Sequence, residues 1–351
     1  MYYPGLRQPQ YDECRNFVVD RLVSLRAGLT QDMPEKHLEG NVIVGSWNIR
    51  DFGGRRLNPE PRLPESYYYI AEIISNFDIL ALQEINENLA DLERVMRLLG
   101  NNFDYLVTDV AEVEGGNQER IAFVYDKRKV SFKNIAGEIV LPKKGYEIQF
   151  SRTPFVVSFQ SGWFKFDLCS SHLFYGATSG PKYKQRVAEI RALAKFMEKR
   201  SAKTQANTFI LGDFNVEKPG KPTWEALHES GFEVPEELQQ VKTNIGEDKH
   251  YDQIAFHSSR KEVKMVPVQL PNGKKVSGDK FKFFDYVFRD EDEAEYRKAN
   301  RTKKLGNSKK KYREWSTWQI SDHYPIWIVL QTDFTDSYLR SLVNTKTPLI
   351  V

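Results

Sequence analysis

The segment "ISDHYPIWIVL" spans Ile320–Leu330 and places an acid and an imidazole directly before a proline and an apolar run. The apolar run predicts a buried strand at 326–331, because β-branched residues dominate it. Asp322 and His323 would then stand where that strand begins. Neighbouring polar residues at a strand end are commonly only a loop, so the meaning of this pair depends on the rest of the chain.

The bulk composition describes a globular protein. The chain has 351 residues, of which 40% are hydrophobic, and this is ample for a packed core. Cys14 and Cys169 lie far apart, which excludes a disulfide framework and a paired-cysteine metal site. We find neither a secretory signal pattern nor an apolar run of about 18 residues. We therefore expect a cytoplasmic protein without a membrane span.

Apolar periodicity predicts strands that alternate with helices. Helices are predicted at 11–30, 65–76, 87–99 and 182–200. Strands are predicted at 41–49, 78–85, 121–125, 155–160, 164–171, 207–212, 251–256, 283–288 and 326–331. This order indicates an α/β (α+β) fold with sheets covered by helices.

The chain is predicted to form one main domain. We assign residues 1–40 to an N-terminal helical extension and residues 41–332 to the domain itself. A charged insertion is expected at about 258–313, and residues 333–351 are assigned to a C-terminal tail.

Polar side chains recur at the ends of the predicted strands. Each is an acid, an amide or an imidazole: Asn48, Glu84, His172, Asp213, Asn215, Asp252, Asp322 and His323. Functional sites in layered sheets are typically built from residues at strand ends. So many ends of this kind are hard to explain as strand caps alone.

These residue types predict metal-assisted chemistry on a phosphate. Glu84 and Asn48 offer hard oxygen ligands, and no zinc-type cysteine or histidine spacing occurs, so the expected ion is Mg²⁺, with Mn²⁺ or Ca²⁺ as alternatives. Two histidines suit a reaction that needs a base for water and an electrostatic clamp on phosphate. The chain has no G-x-S-x-G nucleophile motif and no phosphate-binding G-x-x-x-x-G-K-[ST] loop.

In order, the motifs "WNI", "LQE", "SSH", "GDFN", "YDQI" and "SDHYP" resemble the endonuclease/exonuclease/phosphatase superfamily, and within it the DNase I-like branch. The resemblance covers roughly residues 41–332. It implies a four-layer sandwich, in which two mixed β-sheets pack face to face with helices outside.

The resemblance also implies roles for individual residues. Asn48 and Glu84 would hold the divalent metal, and Asp322 would support the metal or His323. His172 would pair with Glu119.

The remaining roles concern the phosphate and the attacking water. His323 would pair with Asp252. Asp213 and Asn215 would orient the water and the phosphate, and Arg152 of "SRTPF" would contact the phosphate.

Two positions depart from the family pattern. DNase I has an arginine at the place of Asn86 and a tyrosine at the place of Asn117, and both engage the minor groove of DNA. Their absence argues against recognition of duplex DNA by that route.

A basic segment follows the acidic stretch of the insertion. Residues 295–313 contain nine lysines and arginines against one acid, Glu295. We expect nucleic acid, with DNA first, as the partner of the basic insertion at 297–313. A solvated loop that binds no partner is the alternative.

The expected activity is therefore that of a DNase I-like endonuclease, which cleaves DNA by in-line attack of water with help from a divalent metal. A phosphodiesterase or phosphatase for a small or lipid phosphate is one alternative. A catalytically weak nucleic-acid-binding module is another, from a different functional class.

Overall fold

The strands form the frame of the fold. The computed structural model describes residues 1–54, 61–110, 119–258, 263–298 and 309–344, except the side chains of residues 309, 310 and 344. In chain order the strands are β1 (Asn41–Phe52), β2 (Ile79–Ile85), β3 (Phe103–Val107), β4 (Arg120–Asp126), β5 (Ser131–Glu138), β6 (Phe155–Ser161), β7 (Phe164–His172), β8 (Asn207–Asp213), β9 (Asp252–His257), β10 (Val268–Gln269), β11 (Lys275–Val276), β12 (Gly278–Lys280) and β13 (Ile326–Gln331).

Helices lie between and around these strands. They are α1 (Arg15–Asp32), α2 (Pro64–Ser75), α3 (Ala90–Leu99), α4 (Gly180–Thr204), α5 (Pro222–His228), α6 (Glu236–Gln239), α7 (Glu293–Lys298), α8 (Lys309–Gln319) and α9 (Thr335–Asn344). Short 3-10 turns occur at Pro4–Arg7, Pro9–Tyr11, Phe283–Asp285 and Asp290–Asp292.

The strands form two large mixed sheets. The first sheet has the order β12-β13-β1-β2-β4-β3, and the second has the order β5-β6-β7-β8-β9. β1 runs parallel to β2 and β7 runs parallel to β8, whereas the other neighbours in these two sheets are antiparallel. The small pair β10-β11 stands apart from both sheets.

The side chains of β1 show how the layers are built. Val42 and Val44 lie in the hydrophobic cluster shared with the second sheet, whereas Ile43 and Trp47 lie in the cluster shared with α1, α2 and α3. Successive residues of a strand point to opposite faces, so β1 is buried on both sides. α4 covers the outer face of the second sheet, where Ile190 is fully buried. The predicted four-layer sandwich is confirmed.

The N-terminal helix and the predicted insertion both pack onto this frame. α1 buries one apolar face in the same cluster as α2. β12, which lies within the predicted insertion, pairs with β13 and extends the first sheet. The domain boundaries themselves stay a prediction.

The predicted strand at 283–288 is wrong. Residues Phe283–Asp285 form a 3-10 turn, and Phe288 has a positive φ of 51°. The buried side chains Phe283, Phe284 and Val287 face the same helix-side cluster, which a strand with alternating faces could not achieve. The sequence at 283–288 is apolar because this turn is buried. A short apolar run of this length is equally typical of a buried strand, so the sequence pattern does not distinguish the two.

Candidate active site

The polar residues at the strand ends meet at one edge of the two sheets. Because β1 and β2 are parallel and Asn48 is the register partner of Gln83, Asn48 and Glu84 lie close together towards the carboxyl ends of these strands. In the second sheet, the parallel register places His172 directly beside Asp213. The polar ends of the two sheets share a common edge, since Asn48 Nδ2 lies 3.0 Å from Asp213 Oδ2.

Antiparallel neighbours add residues from strand beginnings. Asp252 opens β9 and is the register partner of Asp213. His323 precedes β13, whose start pairs with β1 next to Asn48. The backbone of His323 is held there, because the Trp47 Nε1 atom donates to its carbonyl oxygen over 2.9 Å.

Gly212 makes the close approach of β7 and β8 feasible. Its φ is +133°, and a Cβ atom at this position would lie 1.9 Å from the carbonyl oxygen of Ser171. Glycine alone has neither the side chain nor the steric restriction that would prevent this contact. The residue therefore fixes the geometry immediately before Asp213.

Glu84 is held at the first sheet's edge in a strained conformation. Its φ is +61°, a left-handed value that is uncommon for residues other than glycine. Glu84 Oε1 accepts from Asn48 Nδ2 over 2.8 Å, and Glu84 Oε2 accepts from the backbone N–H of Asp51 over 2.8 Å. Strain of this kind concentrates at functional sites, where surrounding contacts maintain it.

The donor set at this edge fits a hard divalent cation. The carboxylates of Glu84 and Asp213 both lie within hydrogen-bond distance of the Asn48 amide. Carboxylate and amide oxygens are the ligands that Mg²⁺, Mn²⁺ and Ca²⁺ prefer. With the Asn48 amide oriented as it stands, Nδ2 faces the carboxylates and Oδ1 accepts from the Arg50 N–H over 3.0 Å. The amide would have to turn over to offer its oxygen to a metal.

A second set of converging groups lies alongside. Ligand atoms of Asp213, Asp252 and His323 come within 4.8 Å of one another, and all three residues are buried. However, His323 Nδ1 already lies 2.7 Å from Asp252 Oδ2. This contact is that of a histidine oriented by a carboxylate, and a metal bound through His323 Nδ1 would break it.

Glu119 lies close enough to His172 to orient its imidazole. The distance from His172 Nδ1 to Glu119 Oε2 is 2.8 Å. Arg152 reaches the same carboxylate oxygen through Nε, at 3.1 Å. Arg152 therefore lies at the site, where Glu119 is its ion-pair partner in the structure.

Both histidines point their other nitrogen at Asp213. His172 Nε2 lies 3.7 Å and His323 Nε2 lies 3.9 Å from Asp213 Oδ2. His172 Nε2 also lies 4.0 Å from Glu84 Oε1. Because ionised carboxylates only accept hydrogen bonds, Glu119 and Asp252 fix the proton on Nδ1 and leave Nε2 facing the centre.

The carboxylates raise the pKa of both imidazoles. Burial and the nearby charge of Arg152 oppose a proton on His172, but Glu119 and Asp213 outweigh them and raise its pKa. Burial likewise opposes a charged His323, yet Asp252, Asp213 and Asp322 raise its pKa well above the usual value. Burial also raises the pKa of Glu84. The carboxylates around the two imidazoles therefore favour the protonated form of each ring.

Asn215 and Asp322 lie further from the point where the two histidines and Asp213 converge. Asn215 has a positive φ of 53°, and its Nδ2 donates to the carbonyl oxygen of Leu173 over 3.0 Å. Its backbone N–H donates to Asp213 Oδ1, so it braces that carboxylate. Asp322 has a side chain that is 37% exposed, and Arg50 Nη1 lies 3.5 Å from its carboxylate. It stands at the rim of the centre.

A cleft opens next to His323. It has a volume of about 490 Å³, and α8 contributes part of its wall. The lining residues are Arg50, Asn244, Ile245, Tyr251, Arg313, Glu314, Thr317, Asp322 and His323. Sequence reasoning missed most of them, because they come from separate loops, from β1 and from α8, and only the fold brings them together. The aromatic ring of Tyr251 lies nearly parallel to His323, with ring centroids 5.7 Å apart.

The sequence model of the endonuclease/exonuclease/phosphatase family matches residues 45–323. The chain belongs to this family. Members of the family are hydrolases of phosphate esters and typically depend on a divalent metal. A search of curated protein sequences finds no significant match.

Solved structures of the family share the fold at low sequence identity. The mannosyl-6-phosphatase of Bacteroides thetaiotaomicron is 17% identical with a TM-score of 0.53, covering 82% of this chain and 99% of its own. The human Nocturnin catalytic domain with bound sulfate is 13% identical with a TM-score of 0.51, covering 87% and 97%. The D. rerio TDP2 complexed with single-strand DNA product is 14% identical with a TM-score of 0.53, covering 83% and 98%.

These family members differ in what they bind, so the fold alone does not select a substrate.

Within the described ranges, no helix is both long and apolar enough to cross a lipid bilayer.

Proposed function

We propose that this member of the family is a divalent-metal-dependent phosphodiester hydrolase that cleaves nucleic acid, and that DNA is its first substrate. The observation that carries the proposal is the pair of histidine–carboxylate dyads. His172 with Glu119 and His323 with Asp252 direct their Nε2 atoms at Asp213 from two sides. In-line displacement at phosphorus needs one group at the attacking water and another at the leaving oxygen.

Different residues of the chain act at the attacking water and at the leaving oxygen. Asp213, or neutral His323 oriented by Asp252, accepts the proton of the attacking water. His172, oriented by Glu119, stabilises or protonates the leaving oxygen. Asn215 keeps Asp213 in place through its backbone N–H.

The cation would be held by Glu84 and Asn48, with Asp213 in reach and Asp322 at the rim. When bound, it supplies positive charge that neutralises the phosphate oxygens. Mg²⁺ is the proposed ion, with Mn²⁺ and Ca²⁺ as alternatives. Arg152 could contact the substrate phosphate if its guanidinium turned from Glu119 towards the centre.

The basic insertion at 297–313 is the proposed contact for the polyanion. Residues 299–308 lie outside the described part of the chain. The last residues of the segment belong to α8, and this helix forms part of the wall of the cleft beside His323. Lys311 is exposed and Arg313 is half-buried on this helix. Lysine and arginine side chains that neutralise phosphates supply most of the non-specific affinity for nucleic acids.

A second candidate is hydrolysis of a small or lipid phosphate ester. The cleft favours it, because Glu314 and Asp322 place acidic groups on the same walls as Arg50 and Arg313. Such a mixed wall is less suited to a long polyanion than to a compact group that forms hydrogen bonds. The same catalytic residues would serve either substrate.

A substrate panel tests the proposal. Purified protein would be incubated with supercoiled plasmid, linear duplex, single-stranded DNA and RNA, and with a set of small phosphate esters. Each reaction would contain Mg²⁺, Mn²⁺ or EDTA. Metal-dependent cleavage of DNA is the expected result. Hydrolysis of small esters alone would establish the second candidate and overturn the nuclease proposal.

A further inference from the structure

Arg62 is a buried arginine beside the site that sequence reasoning passed over. It lies two residues before α2 and is only 7% exposed. Within the described ranges, its guanidinium donates to backbone carbonyl oxygens rather than to a carboxylate. Nη1 donates to Asp51 over 3.1 Å, and Nη2 donates to Ile49 over 2.9 Å and to Arg50 over 2.5 Å.

This arrangement is unusual for a buried charge. Buried arginines are normally paired with an acid, because removing a charge from water is costly. Among the described residues, the Arg62 guanidinium has carbonyl partners and the ring of Phe52, whose centroid is 5.0 Å away. Burial lowers the pKa of this guanidinium, although Tyr67 and the carboxylates of Asp91, Asp51 and Glu84 act in the opposite direction without forming a hydrogen bond to it. Because burying this charge costs free energy, we expect a structural role of the guanidinium.

The carbonyls that Arg62 holds belong to a left-handed bend at the end of β1. Arg50 has a φ of 39° and Asp51 has a φ of 48°, values that cost free energy for residues other than glycine. The N–H groups of the same bend orient the proposed metal-binding side chains. The Arg50 N–H donates to Asn48 Oδ1 over 3.0 Å, and the Asp51 N–H donates to Glu84 Oε2 over 2.8 Å.

Arg62 also reaches the loop that carries His323. Nη2 lies 3.4 Å from the carbonyl oxygen of Ile320, a long contact. The next residue, Ser321, donates through Oγ to the carbonyl oxygen of Asn48 over 2.6 Å. Ser321 Oγ also accepts from the His323 N–H over 3.0 Å. One guanidinium therefore contacts both backbone segments that frame the site.

We propose that Arg62 is a positioning residue, which holds the bend at Ile49–Asp51 so that the Asp51 N–H aims Glu84 at the divalent cation. The inference rests on the proposed function, since it assigns Asn48 and Glu84 to the cation. Arg62 itself touches neither these side chains nor the reacting atoms. Its hydrogen bonds act on them through the backbone of the bend.

The test measures Mn²⁺ affinity as well as activity. Mn²⁺ binding would be followed by electron paramagnetic resonance on the full chain, together with kcat, KM and the metal concentration that gives half-maximal rate. Residues that orient metal ligands typically contribute 10–100-fold to metal affinity or activity. Arg62→Met should therefore weaken Mn²⁺ binding by about 10-fold or more, with little change in KM at saturating metal.

Two further variants separate positioning from simple loss of stability. Arg62→Lys keeps the charge but can donate to fewer carbonyls, so it should restore part of the Mn²⁺ affinity. Ile73→Ala removes a fully buried side chain from α2 and serves as the control for a destabilised protein. Its Mn²⁺ affinity should match that of the wild type, although its melting temperature falls.

The outcomes distinguish this inference from the proposed function. Wild-type Mn²⁺ affinity in both Arg62 variants would overturn the positioning role, and so would an equal loss in Ile73→Ala. If Arg62→Met fails to fold, Arg62→Lys decides the question by the same readout. A wild-type protein that binds Mn²⁺ but hydrolyses no phosphate ester would overturn the proposed function, while the Mn²⁺ titrations would still decide the role of Arg62.

Discussion

His323 Nδ1 lies 2.7 Å from Asp252 Oδ2, although 71 positions separate the two residues in the chain. A matching contact joins His172 to Glu119, and both imidazoles face Asp213 with their other nitrogen. Each dyad is assembled from elements that are distant in sequence. The proposed hydrolysis requires both contacts, one for each side of the phosphate.

Removing either imidazole should reduce the rate severely. General acid–base groups typically contribute about 10²–10⁴-fold, so His172→Ala and His323→Ala should each lower kcat by a factor in that range. His228→Ala is the control, because His228 is half-buried and its Nδ1 contacts the carbonyl of Trp224, away from the dyads. Steady-state kinetics and thermal melting would be measured together. Near-wild-type kcat in either dyad variant would remove that histidine from the mechanism.

The stability of the metal-free protein should depend on pH through His323. Three carboxylates raise its folded-state pKa well above 6.5, against the opposing effect of burial. The protonated form therefore stabilises the fold in full below about pH 6.5, and this contribution is lost as the pH rises through the raised pKa. In EDTA, the free energy of unfolding of wild type relative to His323→Gln should be larger at pH 6 than at pH 9. Urea titrations at both values test this, and an equal difference would contradict the assigned direction.

Gly212→Ala should destabilise the protein and disturb the site. A Cβ atom would collide with the Ser171 carbonyl at 1.9 Å, and the φ of +133° is unfavourable for alanine. We expect a loss of roughly 2–4 kcal/mol in the free energy of unfolding. Gly137→Ala is the control, because its Cβ atom would meet nothing within 4 Å. Equal stability of the two variants, measured by urea unfolding, would argue against the close approach of β7 and β8.

The basic segment should govern nucleic-acid affinity. Replacing Lys303, Lys304 and Lys309–Lys311 with serine should weaken DNA binding and reduce the dependence of log K on log salt by about one for each phosphate that these lysines neutralise. A variant with five exposed lysines replaced elsewhere controls for net charge: Lys127, Lys133, Lys195, Lys199 and Lys203. Fluorescence anisotropy across a salt series measures both quantities. An unchanged slope would mean that the segment does not bind the phosphates.

Much of the fold follows from the sequence because its central strands are buried on both faces. Runs such as 78–85 and 207–212 are apolar throughout most of their length, and the structure has strands there. β5 was missed, because most of its side chains are exposed and its sequence contains no apolar run. The buried turn at 283–285 produced the opposite error, since burial there does not reflect a sheet.

Part of the candidate site could also be predicted from the sequence, because its residues follow or precede buried apolar strands. Acids and histidines at the ends of strongly apolar strands stand out in a sequence, and the structure brings most of them together. Arg62 gives no such signal, because its partners are backbone carbonyl oxygens that every residue possesses. The wall of the cleft also depends on how loops fold, as the position of Tyr251 beside His323 illustrates.

We propose that the edge defined by Glu84, Asp213 and the two dyads hydrolyses phosphate esters with a bound divalent metal. The most direct test compares initial rates of wild type and Glu84→Gln on the best substrate over a range of Mg²⁺ and Mn²⁺ concentrations. Glu87→Gln, an exposed neighbour, is the matched control. We predict metal-dependent hydrolysis by wild type and by Glu87→Gln, and loss of most activity in Glu84→Gln. Hydrolysis that persists in EDTA, or in Glu84→Gln at wild-type rates, would contradict the account.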